Sequence, residues 1–399
     1  MQGEYEYAID QLHRAEEHAM KLIFWLCFFG VFYAYFGYPI LLMILGKLKD
    51  IFSPTLEYQI DAAQAPSVTI IIPAHNEEAV IARKLENTQA IEYPGELKIL
   101  IVSDGSTDAT VDIVQQAASS DSRIVLYELE ERRGKAQALN HAIKTVATDL
   151  IVFSDASIIL EQDSLWNIVQ PFADPKIGCV SGEDIIEGGG GEGLYGKYEL
   201  FLRDRESRVG SIVGASGSFY AQRTHLVTPF EEGLAPDFLS VMNTVESGYR
   251  VISYPPAVGY MSAVESHKDE FQRKIRTLIR GMTALFKKAD MLNPLKYPMF
   301  SLFLWSHKLM RWLVPFFLIG MLISNLFMTA EVFYMLIMFL QLAFYSLALL
   351  GYLEFKSLSN TLPGKIALYF TGVNVAILVA WIRYVSGVRQ EIWTPSKRT

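Results

Sequence analysis

Two apolar runs of this chain end in carboxylates, Ile99-Leu100-Ile101-Val102-Ser103-Asp104 and Leu150-Ile151-Val152-Phe153-Ser154-Asp155. An acid at the tip of a strand can meet a ligand while the strand itself stays buried. Asp104 leads into Gly105-Ser106-Thr107, where a carboxylate accepts from a base or ribose and glycine lets backbone N–H groups come close. Asp155-Ala156-Ser157 suits Mg2+ or Mn2+, hard ions that take oxygen ligands and keep waters beside a phosphate. Arg133-Gly134-Lys135 adds positive charge for the same phosphate. Asp237, in Ala235-Pro236-Asp237-Phe238, stands at a helix start, placed to take the proton from an attacking hydroxyl. In isolation each has a plainer reading: an Asp-Gly turn, a helix cap, a solvated basic turn.

The elements that position these residues follow from the pattern around them. Val68-Thr69-Ile70-Ile71-Ile72 is nearly all β-branched, as a parallel strand covered on both faces should be. Pro73 stops it, and Asn76 is expected to cap a helix reaching about Thr88. A second unit runs through strand 98–102, the Asp104-Gly105 turn and helix 108–118. A third runs through strand 124–128, Gly134-Lys135 and helix 136–146, and strand 150–153 follows. Consecutive β-α units predict an α/β, doubly wound, mostly parallel Rossmann-like sheet whose ligands lie outside the carboxyl ends of the strands. All the polar clusters fall at that rim, so they are expected to converge on one crevice.

Composition sets this domain between apolar ends. Of 399 residues 51% are hydrophobic, too many for a purely soluble enzyme. Residues 22–45 carry no charge, enough at ~1.5 Å per residue to cross a ~30 Å hydrocarbon core. An acidic leader precedes them, so this is read as a retained anchor rather than a cleaved signal. Residues 313–328, 332–353 and 366–382 are three further candidate spans. Lys47 and Lys49 place the central block in the cytoplasm by the positive-inside rule, whereas the basic C-terminal tail argues against the orientation that three more spans would give it. The expected organisation is a leader (1–21), an anchor (22–46), a cytoplasmic catalytic domain (66–260), interfacial amphipathic helices (261–311), about three spans (312–388) and a tail (389–399), in a plasma or inner membrane. A net charge of −8 excludes a phosphate-backbone binder, hence no nucleic acid partner. Cys27 and Cys179 offer neither a disulfide framework nor a metal cluster. Gly188–Gly193 reads as a loop. Residues 268–288 carry Phe271, Ile275, Leu278, Ile279, Met282, Leu285 and Phe286 at helical spacing among basic residues, which reads as a helix lying on anionic lipid.

With Ile70-Ile71-Ile72-Pro73-Ala74-His75-Asn76-Glu77, Val102 to Asp108, Gly134 to Asn140 and Asp155-Ala156-Ser157 in this order, the chain resembles the membrane-embedded family 2 glycosyltransferases, which have a GT-A fold. The resemblance covers roughly residues 67–289. It implies that Asn76, Glu77 and Asp104 hold uridine, with Pro73, Ala74 and Gly105 in the same motifs. By the same resemblance Gly134, Lys135 and Asn140 lie near diphosphate or sugar, and Asp155 binds the metal, Mg2+ or Mn2+. Gly217 lies in Gly214-Ala215-Ser216-Gly217-Ser218-Phe219-Tyr220, which looks like the small-residue segment lining the pocket. Asp237 falls at the catalytic-base position, and Arg273 and Arg276 at the membrane-proximal arginine motif.

Three positions depart from the family pattern. Ser103 and Ser157 stand where acids are usual, and Thr277 stands where processive synthases have tryptophan. The expected activity is inverting transfer of a hexose or N-acetylhexosamine from a UDP-sugar to a membrane-associated acceptor or a growing exopolysaccharide. Membrane lipids and polysaccharide-export or assembly subunits are the expected partners. The alternatives are a single addition to a polyprenyl phosphate, diacylglycerol or ceramide-like lipid, and a catalytically silent scaffold that binds nucleotide sugars.

Overall fold

The structure, a computed structural model, describes residues 2–52, 58–187, 190–262, 267–353 and 361–389. The chain divides into two compact units, one formed by residues up to Leu41 with Leu304–Ile382, the other centred on Leu42–Phe303.

The first unit is helical. Helix α1 (Gln2–Phe32) continues through a π-helical stretch, Tyr33–Gly37, into α2 (Tyr38–Phe52). Among the described residues four helical segments are long and apolar enough to cross a membrane: Gln11–Phe52, Pro298–Leu326, Val332–Tyr352 and Leu362–Val385. Their number equals that of the one anchor and three later spans expected from hydropathy, with the first two segments beginning earlier in the chain. Within the unit, Gly30 lies where an added Cβ would meet the Phe317 ring at 2.7 Å, so glycine sets how closely two helices approach. Buried polar groups tie the bundle: Asn325 Nδ2 donates to Gln341 Oε1 at 3.1 Å, Trp381 Nε1 to the Trp312 carbonyl at 2.9 Å, and Tyr33 shares a 2.8 Å bond with Ser306.

The second unit is α/β. In chain order its elements are β1 (Val68–Ala74), α3 (Glu78–Gln89), β2 (Leu97–Asp104), α4 (Thr110–Ser120), β3 (Ile124–Leu129), α5 (Lys135–Ile143), β4 (Leu150–Ser154) and β5 (Ile159–Leu160). There follow α6 (Ser164–Val169), β6 (Ile177–Glu187), α7 (Gly190–Val209), β7 (Phe219–Arg223), α8 (Pro236–Glu246), β8 (Arg250–Ser262) and α9 (His267–Lys287). The strands form one sheet in the order β3-β2-β1-β4-β7-β6-β8-β5. The first four are parallel, as the continuous apolar runs require: β1 is buried at every position and so is β4. Strand β7 then enters antiparallel between β4 and β6, so the far half of the sheet is mixed. The core joins Ile70, Ile72, Ile99, Ile101 and Val152 to Ile168, Val180 and Phe219 from the mixed half.

Two local expectations change. Asn76 does not cap α3, which begins at Glu78; Asn76 sits outside it in a left-handed conformation (φ 53°), held by contacts to the next loop. Gly190–Gly193 opens α7 instead of forming a loop, the helix as a whole packing on β6 and β8; Gly188 and Gly189 lie outside the described residues. Along the apolar stripe of α9, Ile275, Ile279, Met282 and Leu285 are buried within the protein, while Phe271, Leu278 and Phe286 are half-buried.

Candidate active site

The loops after β1 and β2 are laced together by their own side chains. Thr107 N donates to Asn76 Oδ1 at 2.8 Å and Asn76 N to Ser106 Oγ at 3.2 Å. Glu77 N donates to Thr110 Oγ1 at 2.9 Å, while Glu78 N and Ala109 N reach Asp108 and Glu78 carboxylates, both at 3.1 Å. Ser103, which stands in place of an acid, is buried and donates its hydroxyl to Ser106 Oγ at 3.0 Å, bracing the same turn. The left-handed Asn76 fits this role, since asparagine tolerates φ > 0 and its amide oxygen accepts locally.

Asp104 holds a third loop. Its two carboxylate oxygens accept from Arg133 N at 2.7 Å and Gly134 N at 2.8 Å, and the residue is 1% exposed. The strand tip therefore turns its acid toward the basic loop instead of the cleft. Gly105 (φ 59°) lies so close to that loop that a Cβ would meet Arg132 N at 2.5 Å, which no side chain allows. Gly134 (φ 89°) then starts α5 and delivers Lys135.

Lys135 Nζ donates to Asp155 Oδ1 at 2.5 Å. Asp155 follows β4, and its backbone N–H donates to the Ser218 carbonyl at 3.0 Å, which joins its turn to the segment before β7. That segment is organised by buried Ser216, whose hydroxyl oxygen accepts from Phe219 N at 2.8 Å and Ser218 N at 3.0 Å and donates to Asp184. Gly217 is thereby presented beside Asp237, the second residue of α8, with 3.9 Å from a virtual Gly217 Cβ to Asp237 Oδ2. Together Pro73, Lys135, Asp155, Gly217, Pro236 and Asp237 line one open cleft. Its apolar wall is Tyr220, stacked on Phe153 at 4.7 Å between centroids, with Phe230 edge-on to Phe153 at 5.6 Å. Residues from five separate sequence motifs thus meet, and the three around Pro73, Lys135 and Asp155 do so where the β-α register required.

The remaining expected residues divide. Ala74 is buried behind Pro73. Asn140 does not reach the cleft as a donor contact: its amide donates to the Phe230 carbonyl at 2.8 Å and accepts from Phe230 N at 2.7 Å, so both ends are engaged in holding that wall. Glu77 is half-buried, and desolvation, reinforced by the charges of Asp155 and Asp108, lifts its pKa to about 7. On α9, burial and then neighbouring Arg273 lower the pKa of Arg276.

Two residues were missed in the sequence. Arg280 follows Arg276 by one helical turn; burial and then Arg276 lower its pKa, and the charge of Asp237 opposes them. Lys84 is fully enclosed under the Asp155 turn, where desolvation brings its pKa down to about 7 against the pull of Asp155. The signal for Lys84 was its place in Ile81, Lys84, Leu85 and Thr88, the buried i, i+3, i+4, i+7 stripe of α3.

Among the described residues no three His, Cys, Asp or Glu side chains gather to hold a metal. Asp155 is a hard oxygen donor on the cleft, close enough to Glu77 for their charges to interact. That donor set fits a divalent ion held by one protein carboxylate and completed by ligand oxygens and water.

Residues 69–222 match the family described as Glycosyl transferase family 2. The chain is 24% identical over 289 residues to the poly-beta-1,6-N-acetyl-D-glucosamine synthase of Staphylococcus aureus (strain COL), covering 67% of this chain and 69% of that one. It is 28% identical over 178 residues to the same synthase of Staphylococcus epidermidis, 42% of each chain. Among solved structures it resembles the mannosyltransferase PcManGT from Pyrobaculum calidifontis, in complex with GDP-Man and Mn2+. The TM-score is 0.69 at 23% identity, over 91% of this chain and 99% of that one. Motif order, the cleft and these likenesses agree: residues 69–222 match the family 2 glycosyltransferases, the α/β unit has a GT-A-like fold, helices fit to cross a membrane flank it in sequence, and the chain is a glycosyltransferase.

Proposed function

We propose that this membrane-embedded enzyme transfers a sugar from a nucleoside diphosphate donor, a UDP-N-acetylhexosamine or UDP-hexose, to the end of a growing exopolysaccharide with inversion at the anomeric carbon. The observation that carries the reading is the joint lining of one cleft by Asp155, Lys135 and Asp237. Phosphate-side charge and an acceptor-side base on one opening are what a single direct displacement needs.

Asp237 receives the proton of the acceptor hydroxyl as its oxygen forms the new bond to the anomeric carbon. The bond from that carbon to the diphosphate oxygen breaks, and its electron pair leaves with the nucleoside diphosphate. Lys135, held on Asp155, lies where its ammonium meets the departing charge. Asp104 acts one step back, fixing the loop that supplies Lys135. A divalent ion on Asp155, Mg2+ or Mn2+, supplies Lewis-acid neutralisation of the diphosphate when bound. Tyr220 and Phe153 provide a flat apolar wall of the kind on which a sugar ring packs. Arg273, Arg276 and Arg280 bring positive charge to the acceptor side. The relatives that make a β-1,6-linked N-acetylglucosamine polymer favour an N-acetylhexosamine and a polymer over a lipid acceptor.

The test is product sizing. Membranes containing the protein, given radiolabelled UDP-sugars one at a time with Mn2+ or Mg2+, are expected to yield a polymer ladder with one donor and to release UDP in step. A product of a single added sugar would replace the polymer reading with lipid glycosylation. Absence of transfer from every donor would remove the function altogether.

A further inference from the structure

Lys84 has no part in the mechanism above, yet its surroundings are those of a built device. Its side chain is 0% exposed, and its Nζ donates to Ser154 Oγ at 2.8 Å and to the Ile158 carbonyl at 2.7 Å. Those two acceptors bracket Asp155-Ala156-Ser157, so one ammonium ties both ends of the turn that carries Asp155. One helical turn on, Asn87 donates to the Leu160 carbonyl at 2.8 Å and accepts from Leu160 N at 2.9 Å, fixing the strand that leaves the turn. From the other side the Asp155 N–H is held by the Ser218 carbonyl. An aliphatic residue would fill this place on the buried stripe of α3 without the desolvation cost of an ammonium. The charge therefore calls for a reason beyond packing.

We propose that Lys84 is a positioning residue of the transfer site, clamping the 155–157 turn so that Asp155 presents its carboxylate to the divalent ion and donor diphosphate. This rests on the reading of Asp155 as the metal-holding acid. Ser157 stands where a second acid would help fix the ion, so the direction of the one remaining carboxylate has to be set by its own turn. Lys84 supplies that constraint from beneath and touches neither donor nor acceptor.

The experiment titrates Mn2+ into the full-length protein in detergent with saturating UDP, following free Mn2+ by electron paramagnetic resonance and the unfolding midpoint in parallel. Lys84→Met is expected to weaken Mn2+ binding by roughly tenfold or more, the usual effect of removing a group that orients a metal ligand. Its unfolding midpoint is read in parallel to show that the variant folds, because loss of the buried ammonium and loss of the donor to the Ile158 carbonyl act in opposite directions. Ser154→Ala keeps the ammonium and removes one acceptor, and is expected to weaken Mn2+ by roughly two- to fivefold. Wild-type Mn2+ affinity in folded Lys84→Met overturns the role; should that variant not fold, unchanged affinity in Ser154→Ala overturns it. Asp155→Asn separates the two layers. Loss of Mn2+ there, with retention in Lys84→Met, removes only the clamp, whereas retention in Asp155→Asn removes the reading of Asp155 and the clamp with it.

Discussion

The two sides of the cleft use their polar residues differently. On the side of the loops after β1, β2 and β3, Asn76, Asp104, Ser103 and Asp108 bond mainly to one another and to backbone amides. On the side of Asp155, Gly217 and Asp237, the charged groups open onto the cleft itself. The first side is a clasp and the second is a working face. Motif residues that look alike in sequence therefore divide between holding loops and meeting ligands, and only the partners of each side chain tell which is which.

The division predicts opposite responses to mutation. The largest effect belongs to the working face: Asp237→Asn should lower the transfer rate by about 10³-fold, within the usual range for a general base. UDP affinity and the unfolding midpoint should not move, and full turnover in the folded variant would end the base assignment. On the clasp, Asp104→Ala strips two amides of their acceptor, one of them buried, at about 1–3 kcal/mol per orphaned group. It should lower the unfolding midpoint by several degrees and raise the donor KM; a pure kcat effect would show that Asp104 meets substrate directly. Gly105→Ala should act in the same direction, since the left-handed backbone alone costs roughly 1–2 kcal/mol and its Cβ would collide with Arg132 N.

The smallest effect lies where the two sides meet. Glu77 has its pKa raised to about 7 from an ordinary 4.5. An acid raised on folding contributes stability that is full below its unfolded pKa and is lost as pH rises through the folded one. Glu77→Gln should therefore gain thermal stability relative to the wild type as pH is raised from roughly 5 to 8. A difference that does not change with pH would mean that Glu77 is ionised throughout.

Much of the clasp's location was legible, and little of its bonding. Continuous β-branched runs gave β1, β2 and β4 within a residue or two, and the rule for parallel sheets put Pro73, Lys135 and Asp155 on one rim. What sequence could not supply was partner choice. Asn140 falls in a motif associated with donor binding, but Phe230, far along the chain, takes both ends of its amide. Asn76 looked like a cap because local spacing shows a helix ahead and not the neighbouring loop that Thr107 brings to it. Lys84 was overlooked because a lysine in a helix reads as a solvated residue unless its phase against Ile81 and Leu85 is checked. The mixed half of the sheet was hidden for a related reason: β7 is a short strand whose direction is set by β4 and β6, not by its own five residues.

The insertion of β7 between β4 and β6 also imposes a schedule on synthesis. Strand β4 ends at Ser154, and the strand that covers its free side begins only at Phe219. At ~5–20 residues per second, the nascent chain spends several seconds with the outer edge of β4 unpaired. That edge is wholly apolar until Ser154, the kind of open strand that recruits other chains. The half-made domain is thus most vulnerable to aggregation just after its parallel strands are complete, and a pause in translation between Ser154 and Phe219 would lengthen the interval of risk.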